Sequence, residues 1–168
     1  MARIFFNIDE IFEMAEQIEK NGARFYRRAA EGAVKPEARE VLAEFALWED
    51  KHQEIFSRMR SEYSRTAKDG GVFGAEEEEV PYLRAWADGH VFDVRSDPAK
   101  RLSGRETMED ILKIAIGLEK DSIVFYLGFK DALPNKSDRE KIEEILKEEM
   151  KHVAVLSTQL SALKSDLT

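Results

Sequence analysis

The chain has 168 residues, carries a formal charge of −8 and contains no cysteine. A protein of this length buries roughly 70% of the surface its unfolded form exposes, so a single domain spanning residues 1–168 is expected. Without cysteine there are no disulfides, thiolate metal sites or cysteine nucleophiles; the negative charge argues against nucleic acid and membrane surfaces as partners; and the lack of a long apolar run or leader pattern makes cytoplasmic localisation the expectation.

Residues from Asn7 to Gly32 place apolar or small side chains at Ile11, Ala15, Ile18, Gly22, Phe25 and Ala29, a spacing of three and four that predicts a helix. Asn7 with Glu10 reads as its capping box, and Gly32 is placed to end it. Pro36 suits the first turn of a second helix, whose stripe runs Val41, Phe45, Trp48, His52, Ile55 and Met59. Together they predict an antiparallel hairpin over about 7–64. A crossover over about 65–106 follows, long for a link inside a compact domain. Within it, Tyr82, Leu83, Trp86, Val91 and Phe92 predict a short piece packed across the bundle. The run AEEEEV reads as solvated, and His90 as an ordinary loop histidine.

The second half repeats the plan over about 107–165. Thr107 with Asp110 caps a third helix with the stripe Ile111, Ala115, Leu118, Ser122, Phe125 and Phe129. The stretch LPNKSDRE breaks it, and Ser137 with Glu140 is expected to cap a fourth, with the stripe Ile142, Ile145, Glu149, His152, Leu156 and Leu160. The predicted fold class is all-α: a four-helix bundle of two antiparallel hairpins joined by one long crossover. A link of that length can run the length of the bundle, which makes the second and third helices parallel and relates the hairpins by a pseudo-twofold axis.

An internal repeat gives this plan chemical content. IEKNGARFY from Ile18 and LEKDSIVFY from Leu118 match at Glu, Lys, Phe and Tyr, and the same offset of 100 carries Glu49, Lys51 and His52 onto Glu149, Lys151 and His152. Glu19 and Glu119 lie on faces that point into the core, and a lone buried carboxylate is costly unless paired, protonated or metal-bound. Glu49–His52 and Glu149–His152 interrupt apolar stripes at a spacing that puts both residues on one side of a helix. At ~1.5 Å rise per residue all four positions reach similar heights near mid-bundle. Four carboxylates at about −4 balance two divalent cations, while neutral imidazoles add one defined nitrogen to each. The competing reading is a metal-free bundle with a hydrogen-bonded polar layer, acting as an interaction module.

One Glu from each of two helices and a Glu-x-x-His from each of the other two is the arrangement of the ferritin-like carboxylate proteins. With Glu-x6-Tyr followed by Glu-x-x-His occurring twice in order, the sequence resembles most closely the rubrerythrin family. The resemblance implies Glu19, Glu49, His52, Glu119, Glu149 and His152 as metal ligands, with Glu49 and Glu149 as bridges. It implies two iron ions, with manganese as the alternative and zinc less suited, and Tyr26 and Tyr126 as partners of ligand carboxylates or electron donors. The bland alternative for each tyrosine is core packing. The implied activity is a non-haem di-iron oxidoreductase reducing hydrogen peroxide or dioxygen; a ferroxidase using the same centre is the alternative. A homodimer is implied as well.

Two departures qualify the resemblance. Rubrerythrins carry a rubredoxin with four cysteines, which these residues lack, so an external donor such as a rubredoxin-like protein is expected. Ser122 stands where the family places an additional carboxylate involved in peroxide turnover. Glu16 and Glu148, beside the implied ligands, are candidates to support them or to be merely exposed.

Overall fold

The computed structural model describes residues 6–66, 72–73, 96–133 and 135–165. Four long helices account for most of them: α1 Ile8–Gly32, α2 Pro36–Thr66, α3 Met108–Ala132 and α4 Lys136–Ser165. The crossover supplies a 3-10 turn at Pro98–Arg101, and Phe6–Asn7 pairs antiparallel with Val72–Phe73. The proposed crossover piece with Tyr82, Leu83, Trp86, Val91 and Phe92, together with His90 and the AEEEEV run, lies outside the described residues.

The ends of the helices follow local chemistry. Gly32 is the last residue of α1, and Pro36 opens α2, where its fixed φ suits the first turn. At the start of α3, the Asp110 backbone donates to the Thr107 hydroxyl, and the Thr107 backbone donates to the Asp110 carboxylate at 3.0 Å, a complete capping box. The fourth helix departs from expectation. It begins at Lys136, so Ser137 lies inside the first turn and does not cap it. Asn135, one residue before the helix, instead donates from its amide to Asp138 at 3.2 Å, and Asp138 also accepts from the Tyr63 hydroxyl of α2 at 2.8 Å. These side-chain bonds tie the start of α4 to the end of α2, a contact between helices that the local sequence does not encode.

Helix directions can be read from these contacts. Phe12, near the start of α1, packs against Tyr63 near the end of α2 and Phe129 near the end of α3, with ring centroids at 5.3 and 5.0 Å. The ends of α2 and α3 therefore lie together, and the two helices are parallel. Joining the end of one to the start of the other requires a link that spans the bundle, as the length of the connection predicts.

The core consists of two apolar clusters on either side of a polar layer. One gathers Phe12, Ala15, Phe56, Phe125, Phe129 and Ile145; the other gathers Phe25, Ala29, Phe45, Ile111, Ala115 and Leu156. Adding 100 to a residue number sends Ala15 to Ala115, Phe56 to Leu156 and Phe25 to Phe125, exchanging one cluster for the other. This exchange is the mark of a pseudo-twofold axis through the bundle. The halves nevertheless fill space differently: Ala29 and Ala33 stand opposite Phe129 and Leu133 in the repeat, and Leu102 from the crossover joins the cluster with the smaller residues. Burying such faces at about 25 cal/mol per Å² of apolar surface is the main force that assembles the helices.

Candidate metal centre

Glu19, Glu49, His52, Glu119, Glu149 and His152 are all buried in the polar layer between the clusters. Each arrives there because its helix carries it on the apolar stripe: Glu19 between Ala15 and Ala23 on α1, Glu49 and His52 between Phe45 and Phe56 on α2, and their counterparts on α3 and α4. Ligand atoms of Glu19, Glu49, His52 and Glu149 lie within 4.8 Å of one another, as do those of Glu49, Glu119, Glu149 and His152. Glu49 and Glu149 belong to both sets. The offset of 100 converts one set into the other, so the pseudo-axis passes between them.

The atoms at the centre lack ordinary partners. Among the described residues, the buried side-chain atoms without a hydrogen bond include Glu19 Oε2, both Glu149 oxygens and Nδ1 of His52 and His152. Nδ1 of His52 stands 2.8 Å from Glu149 Oε1 and 3.4 Å from Glu19 Oε2, close but off the hydrogen-bonding direction. Nδ1 of His152 faces Glu149 at 3.2 Å and Glu119 at 3.5 Å. Several lone pairs converging on one small space are expensive unless protons or cations stand between them. The residues present therefore fit a pair of metal ions.

In the absence of a cation the cluster holds protons instead. Burial, reinforced by the neighbouring carboxylates, pushes Glu49 and Glu119 well above the usual carboxylate range. Burial alone would lower His52 and His152, but contacts with Glu149 and Glu19, and with Glu119 and Glu149, outweigh it and raise them to about 11 and about 9. Glu149 moves the other way: desolvation opposes its ionisation, yet contacts with Glu119, His152 and His52 hold it below the ordinary value.

The tyrosines couple the two halves. The Tyr26 hydroxyl donates to Glu119 and the Tyr126 hydroxyl to Glu19, each reaching the glutamate of the other repeat. Both phenols are fully buried and, through desolvation and the facing carboxylates, keep their protons far above the ordinary tyrosine value. Tyr26 also stacks on Phe45 at 5.0 Å, so packing and hydrogen bonding are both present.

Other candidates separate cleanly. Glu148 accepts from His52 Nε2 at 2.8 Å, whereas Glu16 faces Arg60 at 3.6 Å and Lys20 at 3.8 Å, away from the cluster. Ser122 donates to Leu118 of its own helix at 3.1 Å and adds no carboxylate.

Sequence reasoning gave Gly22 and Trp48 no part in the site. A Cβ at Gly22 would stand 2.9 Å from Glu49 Oε2, so this glycine leaves room for a carboxylate common to both ligand sets. Trp48 stacks on the His152 ring at 4.8 Å and an interplanar angle of 10°. Their signal was in the register of the repeat, where Gly22 aligns with Ser122 and Trp48 with Glu148.

A narrow cleft reaches the cluster between α1, α3 and the 3-10 turn, bounded by Asn21, Gly22, Pro98 and Ser122 and ending on Glu49 and Glu119. Its volume of about 20 Å³ admits one molecule of about the size of water.

No protein-family model matches the chain. No curated protein matches it either. Among solved structures, it superposes with a TM-score of 0.71 on a Thermotoga maritima protein provisionally described as a ferritin-like diiron-carboxylate protein, at 26% identity and covering 95% of this chain and 98% of that one. The fold is ferritin-like. Within this ferritin-like bundle, the buried glutamate and histidine cluster has the composition and geometry of a dinuclear metal centre. No helix among the described residues is long and apolar enough to cross a membrane.

Proposed function

We propose that the cluster holds two iron ions and that the protein is a rubrerythrin-like oxidoreductase, reducing hydrogen peroxide or dioxygen with electrons from a separate donor. The observation that carries this reading is the pair of overlapping ligand sets sharing Glu49 and Glu149. Glu19 and His52 would complete one metal position, and Glu119 and His152 the other. The donor set is oxygen-rich with one imidazole per position, which suits iron, or manganese, better than zinc with its preference for four-coordinate sites richer in sulfur or histidine. Bound iron would supply the one-electron redox couple that the side chains lack.

The chain's own residues support such chemistry in definite ways. Tyr26 and Tyr126 hold Glu119 and Glu19 by one oxygen each, which orients the remaining oxygen toward the centre. The two apolar clusters exclude bulk water from either end of the layer. The cleft that ends on Glu49 and Glu119 is the route assigned to peroxide or dioxygen. Reduction of peroxide to two waters consumes two electrons and two protons. None of the 168 residues is a cysteine, so they contain no rubredoxin-type relay, and the electrons are assigned to an external protein donor.

Anaerobic reconstitution with ferrous iron tests the reading. Two ions per chain are expected; faster oxidation of the reduced centre by hydrogen peroxide than by dioxygen selects peroxide as the substrate, and the reverse selects dioxygen. Ferric product accumulating beyond two ions per chain without peroxide turnover selects a ferroxidase. Well under two iron or manganese ions per chain leaves the metal-free bundle.

A further inference from the structure

We infer that the two metal positions are unequal, and that the one built on Glu19 and His52 binds a divalent ion more tightly than the one built on Glu119 and His152, because Glu148 positions His52 while Trp48 occupies the corresponding place over His152. This inference rests on the dinuclear reading of the site and concerns how the two positions differ.

The asymmetry can be isolated because so much of the site is symmetric. Glu49 and Glu149 are common to both sets. Glu19 and Glu119 each accept one phenol hydroxyl, from Tyr126 and Tyr26. Both imidazoles turn Nδ1 toward the centre, that of His52 lying 2.8 Å from Glu149 and that of His152 3.9 Å from the equivalent Glu49. A difference of chemical kind lies on the far side of the rings.

There, Nε2 of His52 stands 2.8 Å from the Glu148 carboxylate. A carboxylate can only accept, so Nε2 carries a hydrogen, and it is Nδ1 that gives up its proton and offers a lone pair when a cation binds. Such a bond fixes the tautomer and ring orientation and makes the coordinating nitrogen a stronger donor; losing it typically costs 10–100-fold in metal affinity. The residue one repeat earlier than Glu148 is Trp48, whose indole lies over the His152 ring at 4.8 Å and 10°. An indole has no oxygen to accept a hydrogen bond, so it holds the ring in place without strengthening its nitrogen. The Glu148 side chain is 54% exposed, and solvent competition puts the expected preference at the low end of that range, about tenfold.

The test uses cobalt(II) alone as the probe. Crystals of the full chain loaded with one equivalent of cobalt per chain are examined by anomalous diffraction at the cobalt edge, which reads each position separately. The expected occupancy ratio is about tenfold in favour of the Glu19–His52 position, falling toward equality in Glu148→Gln. Trp48→Glu should raise occupancy at the Glu119–His152 position, with two ions still bound at saturation in every variant. Glu148→Gln replaces a half-exposed side chain by one of the same shape, and its melting curve verifies folding. Equal occupancies in the unmodified protein, or a ratio unchanged by Glu148→Gln, overturn the inference while leaving the dinuclear centre intact. Saturating cobalt with neither position occupied overturns both.

Discussion

Gly22→Ala is the sharpest perturbation of the site, because it sets the stability of the helix against the position of one ligand. The new Cβ would stand 2.9 Å from Glu49 Oε2 and 3.0 Å from Cδ, whereas relaxed contacts to carbon begin near ~3.5 Å. Glu49 must therefore retreat by roughly 0.5 Å, beyond the ~0.2 Å tolerance of a metal–ligand bond. In the metal-free protein the retreat is cheap, since the carboxylate is the end of a jointed side chain, and alanine in a helix interior gains about 1 kcal/mol over glycine. Metal-free stability is thus expected to change by less than about 1 kcal/mol. Metal affinity should fall by about 10–100-fold at both positions, because Glu49 belongs to both ligand sets. Chemical denaturation of the metal-free protein and cobalt titration followed by absorbance measure the two effects separately. Gly117→Ala is the control: among the described residues nothing lies within 4 Å of the added methyl, so it should stabilise by about 1 kcal/mol without altering metal affinity. Wild-type affinity in Gly22→Ala would refute the assignment of Glu49 to both positions.

Other expectations follow from the same geometry. Tyr126→Phe strips Glu19 of its buried donor and should cost about 1–3 kcal/mol by urea unfolding of the metal-free protein; no loss would mean the hydroxyl is not holding Glu19. Glu119→Gln removes a buried carboxyl while retaining an acceptor for Tyr26, so metal-free stability should hold or rise while binding of the second ion is lost; unchanged stoichiometry argues against Glu119 as a ligand. His52 and His152 are raised from 6.5 to about 11 and about 9, so their contribution to folding is complete below pH 6.5 and is lost as pH rises through those values. Glu49 and Glu119, held above 4.5, act in the same direction. The melting temperature of the metal-free protein should therefore fall between pH 6.5 and 9, while stabilisation by added metal grows because binding no longer has to displace those protons. A metal-free melting temperature that climbs over this window contradicts the protonated cluster.

The helices and the six clustered residues were legible because two signals share one register. Apolar periodicity placed Glu19, Glu49, His52 and their counterparts on buried stripes, and the offset of 100 showed that the interruptions were not accidents of a charged sequence. Contacts between helices are a different matter. Tyr26 lies seven residues beyond Glu19, about 10 Å along the helix, too far to bond its own glutamate. Its partner, Glu119, is set by the antiparallel packing of α1 against α3, which spacing within one helix does not encode. The start of α4 departs from the sequence reading for a similar reason: Ser137 lies inside the helix, and Asp138 is taken up by a bond from Tyr63 of α2. Gly22 and Trp48 were passed over because they carry no chemistry of their own; one makes room for a ligand and the other covers one.

The exchange of the two apolar clusters by a shift of 100 residues makes this bundle, in effect, a symmetric dimer written as one polypeptide. In a true homodimer every substitution occurs twice, so the two sides of a site on the axis are obliged to stay alike. Joining the halves removes that obligation. Tryptophan on one side and glutamate on the other, or glycine opposite serine, are changes that only a fused chain can carry singly. Covalent linkage thus frees two inherited copies of one motif to take up different tasks within a single shared centre.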